Sequence, residues 1–258
     1  MEVPTEMEPK TTIDEVALMV LGAKAVEIRE IPSKVTNDEV DILPVENQPF
    51  LYASGNWGPG YVTIKNLVGR KQIIRALTQQ LAGLVAERVP HLGFVAGNVT
   101  GGVVPAWLIS EELETILGRI VPFVYIREAR KKGGLKELIT GIANNPEIPL
   151  DANGLVVEEL VNFAQTTCNG AEAVRDAGRV VTHAATILFY NNPEAIKSLQ
   201  EHGIEMIYLF TLPDLLAVAE RGKTHSQKAI DDYRKFLANP LGWQAARGLT
   251  PIERGGTI

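Results

Sequence analysis

Apolar residues recur along the chain with two different periods. Between residues 13 and 26, Val16, Leu18, Met19 and Leu21 fall at helical spacing. Residues 71–89 repeat the pattern with Ile74, Leu77, Leu81, Leu84 and Val85 on one face, which predicts an amphipathic helix. From there the periods alternate. Short apolar runs of strand type occupy 92–96, 120–126, 155–160, 180–189 and 206–210. Helical patterns occupy 104–117, 171–177 (ended by Gly178), 193–202 (capped by Gly203), 214–220 and 226–237. Residues 61–64 are strand-like. Residues 32–49 hold Pro32, Pro44 and Pro49 among many acids and predict an irregular excursion. Strands alternating with helices of this length predict an α/β protein, with a mostly parallel twisted sheet flanked by helices. Ligands of such sheets sit beyond the C-terminal ends of the strands. Three segments leave strands there: 97–102, 127–141 and 159–167.

Composition narrows the function. The chain has 258 residues, is 45% hydrophobic and 22% charged, and carries a formal net charge of −6. That balance argues against a nucleic-acid partner held by a broad basic surface. Cys168 is the single cysteine, so no intrachain disulfide forms, and a cytoplasmic setting fits. We read Cys168 as a small buried hydrophobe. No apolar stretch is long enough to span a membrane. Residues 1–11 are acidic, without the basic-then-apolar order of a signal peptide, and read as a disordered tail. His91, His183, His202 and His225 lack metal-ligand spacing, so no protein-held metal is expected.

The three edge segments carry the candidate chemistry. Gly97-Asn98-Val99-Thr100-Gly101-Gly102 follows a strand and precedes a helix, so its N–H groups suit phosphate or pyrophosphate; a tight connection explains it equally well. Arg127, Arg130, Lys131, Lys132 and Lys136, with Gly133 and Gly134, make a local positive site in an acidic protein. Long cations and flexible glycines suit a loop that closes over an anion. Glu158 and Glu159 end a strand, and neighbouring strand residues point to opposite faces, so the pair is not one metal clamp. The turn that follows, 162–165, contains no glycine. It can present its N–H groups to phosphate if its residues avoid positive φ.

These stretches, in this order and spacing, resemble the orotate phosphoribosyltransferases. The likeness covers about 13–248 and rests on five segments. They are Pro49–Tyr61, Ala96–Gly102, Pro122–Gly141, Val157-Glu158-Glu159-Leu160, and a C-terminal pattern at 215–219 and 236–243. The resemblance implies a type I phosphoribosyltransferase fold with a small N-terminal hood subdomain. It implies a tail at 1–11, a helix and hood at 12–70, a core at 71–248 and a C-terminal tail at 249–258. It further implies transfer of a phosphoribosyl group from phosphoribosyl pyrophosphate to orotate, in the synthesis of pyrimidine nucleotides, by a homodimer using substrate-bound Mg²⁺. Lys131 and Glu159 would be catalytic. Thr100, Gly101, Arg127, Lys131, Glu158, Glu159, Asn162, Ala164, Gln165, Thr166 and Thr167 would bind phosphoribosyl pyrophosphate. Tyr61 and Lys65 would lie near the base.

The chain departs from the family pattern at several of these places. Glu159 stands where the family has Asp, Lys65 where it has Arg, and Gly58 where it has Ser. The turn 161–166 has lost the family's two glycines and its first threonine. Two readings follow: an active orotate phosphoribosyltransferase, or a homologue that keeps the fold and acts as a ligand-binding or regulatory protein.

Overall fold

A computed structural model of the protein describes residues 12–52, 54–127 and 138–251. The expected tail at 1–11, the chain from 252 onward, and the basic loop over 128–137, Lys131 included, lie outside the described residues. The Cα positions group into two compact units. Among the described residues, one joins those up to Ala17 with Val68–Thr211, and the other joins Leu18–Leu67 with those from Leu212.

The first unit is built on a six-stranded sheet. Its strands are β5 (Phe94–Asn98), β6 (Phe123–Ile126), β7 (Ile139–Thr140), β8 (Asn153–Val161), β9 (Val180–Phe189) and β10 (Glu205–Thr211). Its helices include α2 (Lys71–Arg88), α3 (Val103–Leu117), α4 (Gln165–Asp176) and α5 (Pro193–Glu201). The spatial order is β10-β9-β8-β5-β6-β7, parallel throughout except that β7 runs antiparallel to β6. The expected mostly parallel sheet flanked by helices is therefore present. Its strands read as continuous apolar runs because helices cover both faces. All five residues of β5 are buried. Phe94, Ala96, Val156, Val174, Ala184 and Leu199 belong to one core cluster.

The order of the strands places the site. From β5 the chain moves outward to β6; from β8 it moves the opposite way, to β9 and β10. Right-handed crossovers in opposite directions put α3 on one face and α4 and α5 on the other. Accordingly α3 packs with α2, and α4 with α5. The direction reverses between neighbouring strands β5 and β8, and the crevice beyond such a reversal is where these sheets bind ligands.

In the second unit β1 (Val26–Ile28) pairs with β4 (Gly60–Val62), and β2 (Phe50–Leu51) with β3 (Trp57–Gly58), both antiparallel. Helices α6 (Leu212–Arg221), α7 (Gln227–Ala238) and α8 (Pro240–Arg247) complete it. Tyr233 is buried against Gly60, where a Cβ would overlap its ring. Arg247 lies over the Trp243 ring at 3.8 Å and pairs with Asp232.

Several elements differ from expectation. The first helix, α1 (Ile13–Gly22), ends early because Lys24 turns left-handed at φ 56° and the chain enters β1. Helix α4 begins at Gln165 rather than Ala171, because its first turn is polar and carries no apolar stripe. The excursion at 32–49 contains two short 3₁₀ turns, Asn37–Ile42 and Val45–Asn47. Helix α8 was passed over, although Asn239 caps it, Pro240 opens it and Gly248 follows it at φ 99°.

Candidate active site

Two turns meet beyond β5 and β8. The turn after β5 is shaped by contact. A Cβ on Gly97 would come within 2.8 Å of the Ala106 Cβ, so the glycine lets α3 approach the strand. A Cβ on Gly101 would overlap the Glu159 carboxylate, and one on Gly102 would overlap the Val157 carbonyl oxygen. The Val99–Thr100 peptide bond is cis.

Glu158 and Glu159 are successive residues of β8 and so face opposite sides, as expected. Glu158 is buried, with 7% of its surface exposed. It accepts a hydrogen bond from Asn98 Nδ2 at 2.7 Å. Burial pushes its carboxyl up to about 7, with the Asn98 donor opposing the rise and the neighbouring Glu159 charge adding to it. Asn98 Nδ2 also donates to the Thr166 carbonyl at 3.2 Å. One amide thus ties β5 to β8 and to the first turn of α4. Sequence reasoning passed over Asn98. Its signal was a polar residue ending an otherwise apolar strand, directly before the glycine turn.

The turn after β8 holds a correction. Ala164 does not avoid positive φ: it sits at φ 60°, ψ 5° as the N-cap of α4, without a side-chain cap. A left-handed alanine costs about 1–2 kcal/mol. The first bond of the helix runs from Cys168 N–H to the Ala164 carbonyl at 2.9 Å. The N–H groups of Gln165, Thr166 and Thr167 therefore have no acceptor within the helix, and they stand at its positive end. Such an end suits a phosphate. Asn192, between β9 and α5, reaches across to this turn. Its Nδ2 donates to the Asn162 carbonyl at 2.6 Å and to Asn162 Oδ1 at 3.1 Å.

A cavity of about 420 Å³ lies between the two turns. Thr100, Gly101, Glu158, Glu159, Asn162, Ala164, Gln165, Thr166 and Thr167 all line it, so the structure brings nine of the expected residues together. Phe163 lines it as well, 40% exposed. Arg127 lines a neighbouring cavity of about 300 Å³, and Val99 and Thr166 belong to both walls. The guanidinium of Arg127 is held by Thr140 Oγ1 at 3.0 Å and by the Tyr125 hydroxyl at 3.2 Å. Tyr61 and Lys65 belong to the other unit and line neither cavity. There the Tyr61 ring is 42% exposed and packs on Phe50 and Tyr52, with centroids 5.5 and 6.3 Å away. Lys131 lies outside the described residues. Cys168 is buried with its thiol 3.4 Å from the Ser198 hydroxyl, and burial raises its pKa, in keeping with a hydrophobe rather than a nucleophile. Among the described residues no group of three or more His, Cys, Asp or Glu side chains could hold a metal ion.

No family model matches the chain. Individual proteins do. Orotate phosphoribosyltransferase of Ruegeria sp. (strain TM1040) is 30% identical over 207 residues, which cover 79% of this chain and 87% of that protein. Orotate phosphoribosyltransferase of Cereibacter sphaeroides (strain ATCC 17023) is 28% identical over 249 residues, covering 95% of this chain and 96% of that one. Among solved structures, orotate phosphoribosyltransferase from Aeropyrum pernix superposes with a TM-score of 0.58 at 18% identity, over 82% of this chain and 99% of that chain. Leishmania donovani UMP synthase gives a TM-score of 0.66 at 20% identity, over 89% of this chain but 43% of that longer one. The solved structures establish the shared fold, and the sequence relatives establish the kinship: the chain belongs to the orotate phosphoribosyltransferase family.

Proposed function

We propose that this protein transfers the 5-phosphoribosyl group of phosphoribosyl pyrophosphate to orotate, releasing pyrophosphate, as a step of pyrimidine nucleotide synthesis. The observation that carries the reading is the convergence of nine expected residues on one cavity at the switch between β5 and β8, in a chain of this family. No observation favours the second reading, a fold retained without turnover.

The parts divide by charge. The N–H groups of Gln165, Thr166 and Thr167 receive the 5′-phosphate at the end of α4. Glu158 and Glu159, which both line the cavity, are assigned to the ribose hydroxyls. Thr100 and Gly101 line the pyrophosphate end, with Arg127 beside it, its fork pre-set by Thr140 and Tyr125. In the reaction the bond from the anomeric carbon to pyrophosphate oxygen breaks, and the orotate ring nitrogen bonds to that carbon as its N–H proton is lost to the departing pyrophosphate or to water. Positive charge builds on the sugar and negative charge on the departing oxygen. Fixed carboxylates on one side and cations on the other stabilise that separation more than they stabilise the ground state. Lys131, in the basic stretch of sequence after Arg127, is assigned to the leaving group, contributed to the partner subunit's site. Tyr61 and Lys65 are assigned to the base.

Glu159 would face a Mg²⁺ ion brought in with the substrate, which would supply neutralisation of the pyrophosphate charge. The residues fit that arrangement. The half-buried carboxylate of Glu159 offers hard oxygen donors at the cavity wall, and two carboxylates on opposite faces of a strand leave most of the coordination shell to water and substrate. A homodimer is supported by apolar surface on the sheet unit: Trp107, Ile116 and Ile120 are each at least half exposed. No helix among the described residues is long and apolar enough to cross a membrane, and we read the setting as cytoplasmic.

The test is orotate consumption, followed by ultraviolet absorbance, with phosphoribosyl pyrophosphate and Mg²⁺. Turnover that needs both substrates supports the reading, and Lys131→Ala should reduce it at least a hundredfold. Binding of phosphoribosyl pyrophosphate without loss of orotate would overturn it.

A further inference from the structure

The turn after β8 poses a problem that the assigned residues do not solve. Ala164 is left-handed and nearly fully buried, at 4% exposure, with no cap side chain to hold the end of α4. Alanine does not choose this conformation by itself. Something outside the turn has to hold it, and the hydrogen bonds show what does. On the far side of Ala164, the Thr166 carbonyl is tied to Asn98 at 3.2 Å. On the near side, Asn162 is tied twice to Asn192, at 2.6 and 3.1 Å. The Tyr190 N–H adds a bond to the Val161 carbonyl at 2.9 Å. Asn192 is itself held at its other end: its Oδ1 accepts the Ala195 N–H at 2.8 Å and so caps α5. One side chain therefore spans two elements, with its oxygen spent on a helix end and its amide on the turn.

We propose that Asn192 is a positioning residue for the reaction, holding the turn 162–167 in the shape that receives the 5′-phosphate and so replacing the conformational freedom that a glycine at 164 would supply. It touches no reacting atom. It acts through the Asn162 carbonyl, which fixes the entry to Ala164 and thereby the aim of the N–H groups at the start of α4. The inference rests on the functional reading above, because it presumes that this helix end receives a phosphate.

Asn192→Asp is the informative variant. It keeps the oxygen that caps α5 and removes the amide donor, so the helix stays capped while the brace is lost. The full chain is used throughout. Releasing the left-handed constraint should raise the KM for phosphoribosyl pyrophosphate and the Kd of ribose 5-phosphate by about tenfold, with the KM for orotate little changed. Without any ligand, amide exchange across 161–168 should speed up several-fold over the wild-type protein. Adding Ala164→Gly to Asn192→Asp should recover most of the lost affinity, because glycine occupies that conformation unaided. A merely structural role would move melting temperature without this split between the two substrates and without this rescue. Unchanged exchange and unchanged affinity in Asn192→Asp would overturn the inference, as would a loss that Ala164→Gly leaves in place. The two readings fail separately. Faster exchange in a protein that binds no ribose 5-phosphate would leave the brace standing and remove the function.

Discussion

The turn after β5 and the turn after β8 face one cavity, yet they use small residues for unrelated reasons. Gly101 and Gly102 adopt backbone angles open to any residue; Gly102 sits at φ −75°. What they provide is room, because the Glu159 carboxylate and the Val157 carbonyl fill the space a Cβ would occupy. Position 164 is the reverse. It has room for a methyl group but needs φ 60°. At Gly102 the demand for room cannot be met by hydrogen bonds nearby, since a central strand would have to move. A demand for an unusual angle costs about 1–2 kcal/mol and can be offset by fixing the residues on either side. Loss of glycine from the second turn therefore says little about loss of function, whereas its loss from the first would say a great deal.

The sharpest way to break this comparison is Gly102→Ala. The added carbon meets backbone of β8, not the tip of a flexible side chain. We expect a loss of about 3 kcal/mol, read from urea unfolding. A loss below about 1 kcal/mol, the level expected of an ordinary helix-flank substitution, would show that β8 yields easily and that room is not what this glycine supplies.

The acid beside that contact gives a second test of comparable size. Glu158 is pushed up to about 7 from a usual 4.5, chiefly by burial. The folded protein therefore keeps a proton that the unfolded chain releases, and stability falls as pH rises from 4.5 towards 7. Above that window the burial of the ionised acid costs on the order of 2–3 kcal/mol. Glu158→Gln carries no charge to bury. It should be more stable than wild type by about that amount at pH 8 and equal to it at pH 4, with turnover reduced. A variant whose stability tracks wild type across this range would mean that Glu158 is solvated in both states.

Asn98→Ala probes the same acid from the other side. It removes the donor that holds Glu158 and the Thr166 carbonyl, at a cost of about 2 kcal/mol. Because the Asn98 bond lowers the Glu158 pKa, its loss should carry the pH-dependent fall in stability above 7. An unmoved upper limit, measured by thermal melts in a pH series, would separate Asn98 from Glu158.

Both turns also explain what could and could not be read from sequence. The parallel sheet was legible because each of its long strands is buried on both faces and reads as an uninterrupted apolar run, as in Leu155-Val156-Val157. The nine residues that line the cavity were legible as a set because they leave the same edge of the sheet. The start of α4 was not, since Gln165, Thr166 and Thr167 are polar, line the cavity and extend no apolar stripe ahead of Ala171. Strand β7 was missed because it is two residues long and takes its register from Tyr125 and Ile126, across the basic loop. Asn98 and Asn192 were passed over for a further reason. Each works through a bond to a residue 30 or more positions away, and spacing along the chain carries no trace of that.

The smallest effect is the most useful for the contrast between room and angle. Ala164→Gly should remove the left-handed penalty, a gain of about 1 kcal/mol. It also removes a buried methyl group, a loss of about 0.8 kcal/mol, and it loosens the unfolded chain. The net change in stability should lie within about 0.5 kcal/mol of zero. Near-neutrality here beside a large loss at Gly102 would show that the two turns answer to different physics, although a single exchange between alanine and glycine separates the variant from wild type in each. A gain above about 1 kcal/mol would mean that the braces leave Ala164 strained and that the turn is held against its preference. A loss above 1 kcal/mol would mean that the methyl group is part of the core packing at 4% exposure, and that the alanine was selected for burial with the angle as a secondary cost.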